Sequence, residues 1–332
     1  MLNSIEMQEL NKKGIFNRFA DGQPTFTANN IGLPAGILSA LSPQVIENIL
    51  AYRTGDEALG KREKLLDWKD DIYYTPLVER TGQTTPYSDY GMPLLAGMNI
   101  NFNQTGHYRF TTKYHYANLE AEQIGSARVN YNDMLVSAAT EAIAVELNRV
   151  AFNGYIDNSS TKFICYGLLN NPDLNASNPY VAFPKAFSSM TWQEIMGEFA
   201  KAIQKLVQQT GNNINGQSKI RVVISASMFA TLQSVYTNLG ISVYETILKT
   251  YPNMYFVPAI ELDKAETNKD VVYFIGESYS GGIAETTKLG YSELALMGNV
   301  VQTDYGYSQA MSAGTCGALV YKPAFIVRFM DA

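Results

Sequence analysis

Hydrophobic and polar positions alternate with period two over residues 107–116. Tyr108, Phe110, Thr112, Tyr114 and Tyr116 share one face of an extended strand, and His107, Arg109, Thr111, Lys113 and His115 share the other. Upstream, DIYYTPLVERTG is also strand-like, and the Gly- and Pro-rich TTPYSDYGMPLLAGMN lies between the two segments. The pattern predicts a long two-stranded excursion over 72–118, with the strand from His107 returning beside the first. Such a hairpin cannot bury both faces by itself, so it needs a neighbour.

Over 127–153 the period changes to that of a helix. Leu135, Ala138, Ala139, Ala142, Ile143, Leu147, Val150 and Ala151 form one stripe, and Gly154 stands where a helix stops. This helix would be roughly 40 Å long at 1.5 Å per residue. A second helix is predicted over 191–210, with Thr191 and Glu194 spaced as a capping box. After Gly216 come short strands and helices: KIRVVIS, ASMFATLQSVYT, ISVYETILKTYP, NMYFVP and DVVYFIG. The last segment, GALVYKPAFIVRFMDA, reads as a strand pair or one long strand. At the other end, residues 1–42 have no sustained period and read as an extended arm. Ser42 then caps a helix with Pro43 at its first position, and a charge-dense stretch runs from Asp56 to Asp71.

Composition narrows the function. Among 332 residues, 25 Lys and Arg face 31 Asp and Glu, a formal net charge of -6. That sign argues against a sequence-independent nucleic-acid binder, which needs a basic face for phosphates. Charged residues are only 17% of the chain, against about 25% in ordinary soluble domains. There are 22 Tyr and 15 Phe. Surfaces that lose charge and gain aromatics tend to meet other protein. Cys165 and Cys316 do not make a disulfide scaffold. The first residues lack a signal-peptide layout, and no apolar run reaches bilayer-spanning length. Synthesis in a reducing cytoplasm, with no membrane partner, is the expectation.

The candidate chemistry fails on inspection. GESYSGG at 276–282 resembles the nucleophile elbow of serine carboxypeptidases, with Ser278 at its centre. That family places its histidine after the serine, whereas His107 and His115 both precede it. Gly55 to Gly60 followed by Lys61 has the outline of a phosphate loop, but Arg62 stands where a magnesium-binding Ser or Thr is required. A charged, solvated helix end is the plainer reading. His107 and His115 lie roughly 26 Å apart along one strand and cannot share an ion. The cysteines have no CxxC companions for zinc, and Asp70 and Asp71 would point to opposite faces. No catalytic residue, metal or cofactor is expected.

The order of elements resembles the major capsid proteins of tailed bacteriophages, with the Hong Kong 97-type shell fold. The segments that carry the likeness are the long helix leading into AFNGYIDNSSTKFICYGLLNNPDL, then VVISASMFATLQSV, NMYFVPAIEL, and the closing stretch from DVVYFIG to the strand at Tyr321–Ile326. The resemblance implies an α+β capsid fold. It would comprise an N-terminal arm and helix (1–66), an extended loop (67–118), a peripheral domain (119–215 and 300–332) with its spine helix at 127–153, and an axial domain (216–299). Residues 1–42 are too short and irregular for a scaffolding delta domain. The implied function is that of a structural shell: hexamers and pentamers closing into an icosahedral virion head around double-stranded DNA, with weak non-specific DNA contact. Implied partners are further copies of the chain, a portal, and scaffolding, protease or decoration proteins. The extended loop would lie over a neighbouring subunit, making Tyr108, Phe110, Tyr114 and Tyr116 subunit-interface residues. On this reading Tyr114→Asp blocks assembly and leaves helix content intact. An encapsulin-like nanocompartment shell, holding cargo protein, shares the fold but usually lacks the arm. A serine hydrolase built on Ser278 is the alternative from another class, and a tail-tube subunit would be richer in strand.

Overall fold

The computed structural model describes residues 53–87, 89, 91–92, 95–119, 131–157, 163–235, 237–238, 240–277 and 285–332. The predicted arm, the helix after Ser42, residues 127–130 of the long helix and Ser278 lie outside the described residues.

Two apolar strands, Ile220–Ser225 and Val271–Gly276, are buried along their whole length, as continuous hydrophobic runs require when both faces of a sheet are covered. They sit inside a five-stranded mixed sheet ordered Val181–Ala182, Ile326–Met330, Val271–Gly276, Ile220–Ser225, Met254–Ala259. Period two sorts their side chains. Val222, Ile224, Val272, Phe274, Val327 and Phe329 pack beneath the helices Trp192–Thr210, Ala226–Ser234 and Val243–Thr250. Val223, Tyr273, Ile275 and Ile326 face the other way, onto Leu59, Phe152, Leu168 and Leu174. The helix ends follow local chemistry. Glu194 reaches back to accept from the Thr191 N–H at 2.8 Å, and Ser225 Oγ accepts from the Met228 N–H. Gly211 ends its helix at φ 58°, a conformation that a side chain disfavours.

The second sheet is built around one long strand, Gly306–Val320. Tyr108–Ala117 runs antiparallel along one edge of it, from Ala117 opposite Gly306 to Tyr108 opposite Thr315. On its other edge lie Val301–Thr303, Leu296–Met297 and Thr287–Tyr291, the last paired in parallel with Arg62–Lys64. The long helix, described over Tyr131–Asn153, lies across this sheet, with Ala139, Ile143 and Leu147 on Met311 and Ala313.

One expectation is corrected. The strand from Tyr108 does not return against residues 72–81. Its partner is the long strand, and Ile72–Thr81 pairs instead with Gly97–Gly106. Period two fixes which face a residue occupies, not which strand lies beside it. Gly306–Val320 belongs to the sheet under the long helix, but Ile326–Met330 and the helix Trp192–Thr210 join the strands of the 216–299 region.

Candidate assembly surfaces

In the ribbon formed by Ile72–Thr81 and Gly97–Gly106, directly paired residues share a face. Ile72, Tyr74, Pro76 and Val78 therefore stand with Phe102, Ile100 and Met98. The reverse face carries Tyr73, Thr75 and Leu77 with Asn99, Asn101, Asn103 and Thr105, and is the more polar of the two. The apolar side is open: Tyr74 is 55% exposed, Ile100 55%, Met98 59% and Phe102 61%. The polar side leans toward the body across a hollow of about 340 Å³, bridged where Asn103 Nδ2 donates to Asp173 Oδ2 at 2.8 Å. A two-stranded ribbon is marginal alone, and one with an uncovered apolar face more so.

The aromatic face predicted over 108–116 does lie on one side, and all four of its rings are half-buried. Phe110 and Tyr114 pack on the Ala139, Ile143, Met311 cluster within the same chain. Tyr108 stacks on Tyr155 with ring centroids 3.7 Å apart. Tyr116 stands opposite Tyr307, and with Tyr114, Val300 and Gln309 they line an open hollow of about 320 Å³. Because Tyr114 is already in its own subunit's core, Tyr114→Asp is expected to cost the isolated subunit about 1–3 kcal/mol in addition to any effect on assembly. Urea unfolding followed by circular dichroism checks this.

The titratable and nucleophilic residues are dispersed. His107 is buried at the ribbon's root, while His115 is exposed further along. Cys165 and Cys316 are buried, and burial pushes both thiols up to about 12, which suppresses the thiolate at neutral pH. Asp70 Oδ2 accepts from the Asp67 N–H, and Asp71 pairs with Arg109. Gly55–Leu59 forms a short helix that is more than a solvated end. Asp56 and Glu57 are exposed, but Ala58 and Leu59 are fully buried and Asn148 Oδ1 accepts from the Gly55 N–H. Among the described residues no group of three or more His, Cys, Asp or Glu is placed to hold a metal ion.

Two folded sheets and an amphipathic ribbon present extended surfaces, and the comparisons with known proteins say what such a chain is similar to. The family model of the Pa193 gp26 major capsid protein matches residues 24–331. The chain belongs to this major capsid protein family. The capsid of Myoviridae phage XM1 superposes with a TM-score of 0.72 at 12% identity, covering 90% of this chain and 99% of that one. The structure from Mycobacterium phage Bobi gives 0.60 at 8% identity (89% and 96% covered), and the capsid of the native GTA particle gives 0.60 at 9% (92% and 100%). No curated protein matches the sequence. The fold is thus the Hong Kong 97-type shell fold, and this major capsid protein is a structural component of a tailed-phage virion.

Proposed function

We propose that the chain self-assembles into pentamers and hexamers that close into an icosahedral head around double-stranded DNA, with the ribbon lapping a neighbouring copy. The exposed apolar face of Tyr74, Val78, Met98, Ile100 and Phe102 carries this reading, because a closed lattice is what would cover it in every copy. The five-stranded sheet with its helices corresponds to the axial domain in this proposal, and the long helix with the six-stranded sheet to the peripheral domain. The hollow beside Tyr114 and Tyr116 serves as a second contact between copies, which keeps a part of the aromatic strand at an interface. No catalytic step is assigned to any residue. A net charge of -6 suits a lumen that holds DNA weakly, so DNA release is expected to depend little on salt. A portal and any scaffolding, protease or decoration protein would engage the same lattice during synthesis in the bacterial host.

Sedimentation velocity with negative-stain imaging of the purified protein tests the proposal. Closed particles, or rings that convert to them, are expected, with nuclease-protected DNA in particles from infected cells. Particles filled with a cargo protein would mark a nanocompartment instead. A monomer under all assembly conditions would overturn both.

A further inference from the structure

His107 stands where the ribbon's second strand ends and the body strand begins, and it is buried. Its main-chain N–H donates to the Asp71 carbonyl at 2.9 Å. The imidazole Nδ1 lies 2.6 Å from the Asp70 carbonyl oxygen, and Nε2 lies 2.7 Å from Ser292 Oγ. A carbonyl only accepts, so Nδ1 carries the proton and neutral Nε2 accepts the Ser292 hydroxyl. Two residues on, Arg109 crosses to the same leg. Its Nη2 donates to that Asp70 carbonyl, its Nε to the Trp68 carbonyl and its Nη1 to the Asp71 carboxylate. The Trp68 ring stands edge-on to the imidazole at 6.2 Å. At Gly314 a Cβ would fall 2.4 Å from His107 Nε2, so the long strand presses directly on the ring.

We infer that His107 is a proton-operated latch for the ribbon: the neutral ring ties both legs to the body at one angle, and protonation frees them to swing. This rests on the ribbon being the contact between copies, since it regulates that contact. A charged ring needs two acceptors, so Ser292 would have to turn its hydroxyl away. The new charge would sit beside Arg109, with which it shares the Asp70 carbonyl. Asp71 is already engaged by Arg109, the Asp70 carboxylate caps the Asp67 N–H, and Glu293, next to Ser292, is paired with Lys64. Burial is the main cause that holds the His107 pKa below its ordinary 6.5. The Asp70 carbonyl opposes it, the Arg109 charge reinforces it, and the Asp71 and Asp70 charges oppose it more weakly. A pKa lowered in the latched state gives a tie that is complete above about 6.5 and lost as pH falls below it.

The chain has only two histidines, so the test reads cleanly. On the full-length protein, amide exchange over 72–106, corrected for intrinsic rates, is expected to rise between pH 7.5 and 5.5 by at most about tenfold, because pH 5.5 lies one unit below the ordinary imidazole value. His115→Gln should keep that rise and His107→Gln should abolish it. Exchange at each imidazole Cε1, read by mass spectrometry on wild type, needs no variant to fold. The ribbon's transition should coincide with the His107 titration. An undiminished rise in His107→Gln, a flat wild-type profile, or a transition at a pH where His107 does not change charge would overturn the latch. Failure to form particles would count against the shell proposal alone, because the latch is measured on the soluble subunit as well.

Discussion

Phe102→Asp is expected to abolish particle formation while the subunit stays folded. Phe102 is 61% exposed in the single chain, directly opposite Pro76 and flanked on its own face by Ile100 and Gln104. It belongs to none of the chain's buried clusters, so its loss is expected to be felt chiefly where another copy covers the ribbon. Burying a Phe contributes about 1.5–3 kcal/mol, and an unpaired carboxylate in the same place adds a desolvation cost. A loss of about 3 kcal/mol per contact is roughly two decades in association constant. Every subunit contributes one ribbon, so all such contacts in the lattice weaken together. Asn99→Ser, on the polar face of the same ribbon, is expected to assemble normally. Sedimentation velocity reads the particles, and circular dichroism with urea unfolding reads the subunit. Shells from Phe102→Asp at wild-type concentration would remove the ribbon from the assembly contacts.

How much of this was legible in the sequence depends on the range of the interaction that decides it. Local chemistry was readable. The capping box at Thr191 and Glu194, the stripe of the long helix and the apolar runs of KIRVVIS and DVVYFIG each placed an element within a few residues. The order of those elements was enough to suggest the shell family. Non-local pairing was not readable. Tyr108 to Tyr116 advertised a two-faced strand, yet its partner lies some two hundred residues away in Gly306–Val320. The ribbon's true second strand was hidden because the Gly- and Pro-rich segment took in Asn99, and Asn101 and Asn103 were assigned to no element. They are in fact the polar half of an alternation with Met98, Ile100 and Phe102, and that alternation was the available signal. Placing His107 beside Arg109 on a polar face also missed its burial, which arises only when the ribbon's first leg and Ser292 close over it. The other signal passed over was a lone cation in the apolar strand Ile326–Met330, since a charge there must have partners.

That cation, Arg328, is where the largest loss of subunit stability is expected. It is 1% exposed and points to the side of the five-stranded sheet that carries Tyr273 and Leu174. Its Nε donates to the Asn178 carbonyl at 2.7 Å, Nη2 to the Leu174 carbonyl at 2.8 Å and Nη1 to Asn175 Oδ1 at 2.8 Å. These acceptors lie at the end of the helix Pro172–Ser177, where exposed carbonyls favour a positive charge. The guanidinium also lies 4.1 Å from the Tyr180 ring centroid, and Tyr180 is bonded to the buried Tyr273 hydroxyl. Arg328→Met fits the volume but removes the donor to the buried Asn178 carbonyl at about 1–3 kcal/mol, while the Leu174 carbonyl keeps the Asn178 N–H and the exposed Asn175 amide can turn to water. With the lost charge-assisted hydrogen bonds and ring contact the total expected loss is about 2–4 kcal/mol, a large part of the roughly 5–15 kcal/mol that holds a domain together. Arg328→Lys keeps the charge but not the planar fork that reaches three acceptors, so it should recover only part of the loss. Urea unfolding of the soluble subunits orders the three proteins as Arg, then Lys, then Met. A Met variant within about 1 kcal/mol of wild type would mean that the helix end finds other donors.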